Sequence, residues 1–577
     1  MHKKIVRRTF SAESAASLGD MHPVLRRVYA ARKVASADQL EQSLKRLLPY
    51  QSLMGIDKAV SLLAAALTHQ QRILIVGDFD ADGATSSALA VRALKSFGAE
   101  QVQFLVPNRF EYGYGLTPEL VQAACVLAPQ VIVTVDNGIA NHAGVEAAKA
   151  LGICVIITDH HLPAATLPPA DAIVNPNQAG DTFPCKNLAG VGVIFYVMLA
   201  LRRHLVETGW FEQRGLPVPN MSALLDLVAL GTVADLVPLD HNNRILVRHG
   251  LQRIRAGQCI PAIIALLEVA NRDFREAVAS DLGFAVAARL NAAGRLDDMS
   301  LGIACLLTDD SMRARHLAAQ LNQLNQERKS IEQGMQSQAL AALKKLELTE
   351  EALPRGLCLY DRQWHQGVIG ILASRIKDRF HRPVIVFAPG QDEQLKGSGR
   401  SIAGFHLRDA LALVDARHPR LIDKFGGHAM AAGLTIQRQA LETFMKAFEA
   451  VVAAELTEEQ LQHAWLSDGE LTDEDINLEL ATLLREAGPW GQAFPEPVFD
   501  GQFAILEQRI VGDKHLKLRL SKNGKVIEAM AFFVDTESWP NHRVASVQAV
   551  YRLDVNEYKG RRSVQLIVDH LEGQLKS

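Results

Sequence analysis

The sequence predicts a multidomain α/β protein in which a parallel-sheet domain, a long helix, a second α/β domain and a β-barrel follow one another. Three observations carry this reading. Short Val/Ile-rich runs at 73–76, 102–106, 131–135 and 153–157 alternate with helical or loop segments, the pattern of buried parallel strands joined by right-handed crossovers. From 309 to 346 apolar residues recur at helical spacing (Leu317, Leu321, Leu324, Ile331, Met335) without a proline, which predicts one long amphipathic helix. Near the C-terminus Leu516, Leu518 and Leu520 alternate with Lys517 and Arg519, and Asn523-Gly524 then supplies a hairpin turn, as expected of strands with one apolar and one basic face.

A chain of 577 residues is too long for one core, so about three or four domains are expected. The boundaries read as an N-terminal cap (1–50), a first α/β domain with a helical extension (51–308), the connecting helix (309–350), a second α/β domain (351–454), an acidic helical connector (455–495) and the barrel (496–577). The longest apolar stretch, 188–201, falls short of the ~20 residues that span a bilayer, so no membrane segment is expected. The basic start (Lys3, Lys4, Arg7, Arg8) lacks the apolar core of a secretory signal. Six cysteines without a CxxC pair argue against a disulfide framework or a zinc site and predict a reducing, cytoplasmic setting. The net charge of −3 conceals an imbalance: between 455 and 500 Arg485 is the lone cation, so the remainder is net basic and compatible with a polyanionic partner.

The chemistry concentrates in "RILIVGDFDADGATSS", residues 72–87. An apolar strand breaks at Gly77 into Asp78, Asp80 and Asp82, and an Ala/Ser-rich helix follows. Acids so closely spaced repel one another unless a cation sits among them; the plainer alternative is a solvated turn with Asp as helix cap. Two later strands also end in metal-competent residues, at Asp136-Asn137-Gly138 and at Asp159-His160-His161, and a fourth acid, Asp235, follows the apolar run 224–230. Carboxylate and imidazole without thiolate suit Mn²⁺ or Mg²⁺, and several such groups can hold two ions.

In order and spacing, "DADG", "VDNG", "DHH" and "GTVAD" resemble the DHH phosphoesterases. The likeness continues through "LVPNRFEYGYGL", "LAGVGV", "RLNAAGRLDD", "WHQGVIGILASR", "GSGRS" and "GGHAMAAG", and covers essentially the whole chain. Within that superfamily it is similar to the bacterial exonucleases that degrade single-stranded DNA from the 5′ end. The resemblance implies a DHH-type parallel-sheet domain, a DHH-associated α/β domain and a C-terminal OB-fold. By motif, the expected ligands of two Mn²⁺ or Mg²⁺ ions are Asp80, Asp82, Asp136, His160 and Asp235, with Asp136 as the bridge. The pyrophosphatase branch carries a histidine at the position of Val76, and Asp78 is expected to take over its ligand role here. His161 is expected to donate to a phosphate oxygen, to assist proton transfer, or to support His160.

Arg109 and Tyr114 are expected along the substrate backbone, the tyrosine as a stacking surface; composition alone favours an ordinary surface turn. Arg289, Asn291 and Arg295 are expected at phosphates, against a helix end with surface ion pairs as the alternative. Ser398 and Arg400 in a small-residue loop, with Gly426, Gly427 and His428, are expected to bind substrate rather than metal. In the barrel, Phe532, Phe533, Tyr551 and Tyr558 are available for bases or for its core.

The expected activity is metal-dependent hydrolysis of single-stranded DNA, 5′→3′ to mononucleotides, in repair and recombination. The expected partners are the DNA strand, a single-strand-binding protein and a RecQ-type helicase, with the enzyme a monomer. Two other readings stand beside it: a small-substrate DHH phosphoesterase acting on short oligonucleotides or cyclic dinucleotides, and an inactive DNA-binding scaffold.

Overall fold

The computed structural model describes residues 4–108, 112, 114–345, 354–462, 464–512, 514–558 and 560–575. These fall into two compact units, one formed by Arg7–Gln323 with Leu466–Ser577 and the other by Met1–Val6 with Leu324–Trp465.

In the first unit the Val/Ile runs form a five-stranded parallel sheet in the order Val102–Leu105, Ile73–Gly77, Val131–Val135, Cys154–Thr158, Ala172–Val174. The central strands Ile73–Gly77 and Val131–Val135 are buried at every position, which is why their sequences are continuously apolar instead of alternating. One face of the sheet packs Leu74, Val76, Ile132, Val155 and Ile157 against Leu120, Val121 and Val145. The order also fixes the functional edge. From Ile73–Gly77 the chain first goes to one side and then crosses to the other, so the switch point lies between that strand and Val131–Val135, where α/β sheets bind ligands.

The helix Ala81–Ser96 packs against helices Gly190–Glu207 and Leu225–Ala234, and its small residues Ala84, Ser87, Ala88 and Ala90 are buried. The same unit holds a closed barrel of strands Phe499–Val511, His515–Lys522, Lys525–Ala531, Val544–Tyr558 and Arg561–Leu575. Leu516, Leu518 and Leu520 point into it, and Asn523 and Gly524 take φ of 47° and 84°, as a two-residue hairpin turn demands.

Charge in this unit is spent internally. Arg32 and Asp468, both buried, form a bidentate ion pair at 2.8 and 2.9 Å, and Arg7 pairs with Asp500 at 2.8 Å. Thus acids of the connector and of the first barrel strand are the partners of the basic N-terminal segment. Lys517 and Arg519 on the barrel likewise pair with Glu528 and Glu507.

The helix Ser311–Lys345 is one continuous element, as its spacing predicts, roughly 50 Å long at 1.5 Å per residue. The second unit is built on a mixed sheet in the order Lys424–Gly427, Ala431–Gln437, Gln394–Arg400, Val384–Pro389, Leu357–Tyr360. Its core gathers Ile385, Phe387, Leu434, Phe444 and Phe448. No helix among the described residues is long and apolar enough to cross a membrane.

Candidate metal centre

The acids following strand Ile73–Gly77 are held by the start of the next helix. Asp80 is its N-cap: Oδ1 accepts from Asp82 N at 2.9 Å and Gly83 N at 3.0 Å. A cap occupies one carboxylate oxygen, so the plain reading of this aspartate and the metal reading coexist. Asp82 is buried in the first turn, where it accepts from Gly190 N at 2.6 Å and Val191 N at 3.0 Å, the first amides of helix Gly190–Glu207. Gly190 also lets that helix approach the second acid, because a Cβ there would stand 2.6 Å from the Cβ of Asp136.

Asp136 ends strand Val131–Val135 at φ 61°, a left-handed conformation uncommon outside glycine and a mark of backbone strain at a working site. Asn137 pins the strained turn, its Nδ2 donating to Val76 O at 3.0 Å and Val135 O at 2.9 Å.

The sequence assigns Asp159 no separate role, and the structure gives it one. Its buried carboxylate accepts from the backbone amides of Ile139, His160 and His161 and from Nδ1 of His161 at 2.8 Å. It therefore holds the backbone of both histidines and the ring of His161. Burial opposes its charge, but the hydrogen bond and charge of His161 hold it below the usual carboxylate range. Burial likewise opposes charge on His161, and the bond to Asp159 outweighs it, raising the imidazole to about 9.

Three sets of side chains could each hold an ion, with ligand atoms within 4.8 Å of one another: Asp78, Asp80 and Asp136; Asp82, His160 and Asp235; and Asp136, His160 and His161. Asp136 and His160 each appear in two sets, and Oδ1 of Asp136 lies 3.0 Å from Nε2 of His160. The electrostatics fit cations. Burial, with the charge of Asp80 next, pushes Asp82 up to about 7. Burial and the charge of Asp82 hold Asp136 and Asp235 far above the carboxylate range. Oδ1 of Asp136 is buried and receives no hydrogen bond among the described residues. Clustered, desolvated carboxylates with an imidazole match the donor set of Mn²⁺ or Mg²⁺.

Three sequence families match along the chain: the DHH family N-terminal domain over residues 72–232, the DHHA1 domain over 354–454 and the RecJ OB domain over 467–570. A protein of Dickeya dadantii (strain 3937), the single-stranded-DNA-specific exonuclease RecJ, is 59% identical over 90% of this chain and 91% of its own length. The chain belongs to the RecJ family. The family member of the same name from Escherichia coli (strain K12) is 57% identical over the same shares. Among solved structures, RecJ of Thermus thermophilus in complex with Mn²⁺ has a TM-score of 0.79 at 30% identity, covering 100% of this chain and 80% of that one. RecJ from the same organism in complex with Mg²⁺ has a TM-score of 0.74 at 28% identity, covering 100% and 78%.

The structure brings Asp78, Asp80, Asp82, Asp136, His160, His161 and Asp235 together, as the RecJ motifs imply. Tyr114 joins them: its hydroxyl donates to Asp136 O at 3.3 Å, and its ring meets those of Phe79 and His161 edge-on at 6.0 Å. Arg109 lies outside the described residues.

Other expectations need correction. Arg289 is buried, and its guanidinium is taken up by Ala285 O, Asn322 Oδ1 and Val269 O, so it braces the protein instead of meeting phosphate. Asn291 Oδ1 accepts from Ala81 N at 2.8 Å and so positions the acid loop. Arg295 is half-buried in the last turn of helix Ala288–Leu296.

In the second unit "KGSGRS" is not a loop: Ser398 and Arg400 lie on the strand Gln394–Arg400. Arg400 donates to Ser398 Oγ at 3.2 Å and Gly399 O at 2.8 Å. Gly426 and Gly427 end the strand Lys424–Gly427, and the exposed His428 follows them. In the barrel, Tyr551 is core, whereas Phe532 and Phe533 are exposed; the Tyr558 side chain lies outside the described residues.

Proposed function

We propose that this protein is a divalent-metal-dependent exonuclease that degrades single-stranded DNA from its 5′ end to mononucleotides, in DNA repair and recombination. The single observation that carries the reading is the meeting of Asp78, Asp80, Asp82, Asp136, His160 and Asp235 at the switch point of the sheet. Asp78, Asp80 and Asp136 would hold one Mn²⁺ or Mg²⁺, and Asp82, His160 and Asp235 the second, with Asp136 reaching towards both. Such a pair of ions supplies positive charge for a phosphoryl group in displacement and acidifies water.

The chain's own residues do the rest. Asp159 fixes the ring of His161 and the backbone of both histidines. His161, held by Asp159 through Nδ1, is assigned to a phosphate oxygen. Tyr114 and Arg295 bind substrate in this unit; Ser398, Arg400, Gly426, Gly427 and His428 are assigned to substrate in the other. The family resemblance further supports a monomer acting in the cytoplasm alongside a single-strand-binding protein and a RecQ-type helicase.

The deciding experiment is digestion of a long single strand, labelled at either end, with Mn²⁺ or Mg²⁺ in turn, beside a dinucleotide. Release of mononucleotides from the 5′ end of the long strand is expected. Preference for the dinucleotide would instead establish the small-substrate reading, and binding without cleavage the scaffold.

A further inference from the structure

The segment 279–296 runs along one side of the metal centre. Towards its C-terminal end Asn291 bonds to Ala81 N, and Gly294 abuts the acid loop so closely that a Cβ would stand 1.8 Å from Phe79 O. Towards its N-terminal end Gly283 packs on Val233, where a Cβ would lie 3.3 Å from Cγ1, two residues before Asp235. Six residues of the segment, Leu282–Ala287, wind as a π-helix, a form that is rare and frequent at functional sites. Arg289 braces it, Nη1 donating to Ala285 O at 2.7 Å.

The π turn presents Phe284, which is 81% exposed. Phe284, Ala288, Asn291 and Arg295 recur at helical spacing and lie along one face, while Ala285, Val286, Ala287, Leu290, Ala292 and Ala293 are buried. Asn291 places that face beside the acid loop. A second apolar side chain stands nearby: Leu236, directly after Asp235, is 64% exposed and has φ 58°, a strained conformation for a bulky residue. Helix Leu225–Ala234 packs on the π turn, so both side chains flank the contact between Val233 and Gly283.

A single exposed phenylalanine means little. Here two unusual backbone conformations each expose a large apolar group at the rim of a centre built for phosphodiesters. A strand whose phosphates reach the ions brings its sugars and bases to this rim, and of these groups the base offers an apolar face. We propose that Phe284, backed by Leu236, stacks on a nucleobase of the single strand seated at the metal centre, with Arg295 on the same helix face towards the backbone. The proposal rests on the exonuclease reading. Because every base has a π face, the grip is independent of sequence.

The test uses the full chain with Mn²⁺ and a phosphorothioate single strand, which resists hydrolysis, and measures binding by fluorescence anisotropy. Phe284→Ala is expected to bind roughly ten-fold more weakly, Phe284→Trp to restore binding, and the difference to vanish on a strand of abasic residues. Unchanged affinity in Phe284→Ala, or an equal loss on the abasic strand, would overturn the stacking role. Failure of the wild-type protein to cut an ordinary strand would instead overturn the exonuclease reading, and the binding comparison would still decide the role of Phe284.

Discussion

Oδ1 of Asp136 and Nε2 of His160 stand 3.0 Å apart, although the two residues end different strands of the sheet. Asp136 also stands with Asp78 and Asp80, so its carboxylate belongs to two of the three candidate sets. Asp136→Asn is therefore expected to reduce cleavage of an end-labelled strand to background. Asparagine tolerates the φ of 61°, and removing one repelling charge should leave the melting temperature in chelator unchanged or raised. A large drop in that temperature would mean that the residue is mainly structural.

Asp78 shares a set with Asp80 and Asp136 but not with Asp82, His160 and Asp235. In a calorimetric Mn²⁺ titration, Asp78→Ala should weaken one binding step and spare the other. Equal weakening of both would remove Asp78 from the ligand set.

Asp159 acts through the histidines. Asp159→Asn is expected to lower activity about 10–100-fold, as loss of an orienting partner does. The His161 pKa should fall from about 9 towards 6.5, read by NMR titration of the imidazole in chelator. An unchanged pKa would show that the bond to Asp159 does not set it.

In chelator the folded protein should lose stability as pH rises. Asp82 titrates near 7 when folded against 3.8 unfolded, and His161 near 9 against 6.5. Both pKa values are raised, so the native state binds more protons, and stability falls from about pH 4 to 7 on account of Asp82 and from about 6.5 to 9 on account of His161. Saturating Mn²⁺ should flatten the lower window, because ions replace protons among the carboxylates. Denaturant melts across this range, with and without Mn²⁺, provide the check.

Arg32→Ala removes the bidentate partner of the fully buried Asp468, leaving only the longer contact to Arg8 at 3.7 Å, and should cost about 3–5 kcal/mol in denaturant unfolding. Replacing both partners, Arg32→Met with Asp468→Leu, should recover most of that loss. A cost below about 1 kcal/mol for the single change would place the pair among weak surface contacts.

Most of the cluster was legible because its acids and histidines come soon after apolar runs, and an acid at the end of a fully buried strand has few ordinary explanations. Asp159 escaped notice because an acid next to two histidines reads as another ligand; only the amides of Ile139, His160 and His161 converging on it reveal a different duty. The strand Ala172–Val174 is too short to leave a pattern. Arg289 and Asn291 misled because arginine and asparagine suit phosphate and backbone carbonyl or amide equally well, and a sequence does not say which is nearer. The glycines of "KGSGRS" suggested a loop, yet Gly397 and Gly399 lie within a strand, where larger side chains would collide with Phe387 and Leu407.

The pairing of Arg32 with Asp468 joins positions 436 residues apart, and that of Arg7 with Asp500 spans 493. During synthesis the ribosome therefore releases the opening helices long before their counter-ions exist. The parallel sheet can form early, but the N-terminal segment must wait, its arginines hydrated, until Asp468 and Asp500 have emerged. Final assembly of this unit consequently follows synthesis of Asp468 and Asp500, and a nascent chain halted before residue 468 should hold the segment around Arg7 to Arg32 open to protease.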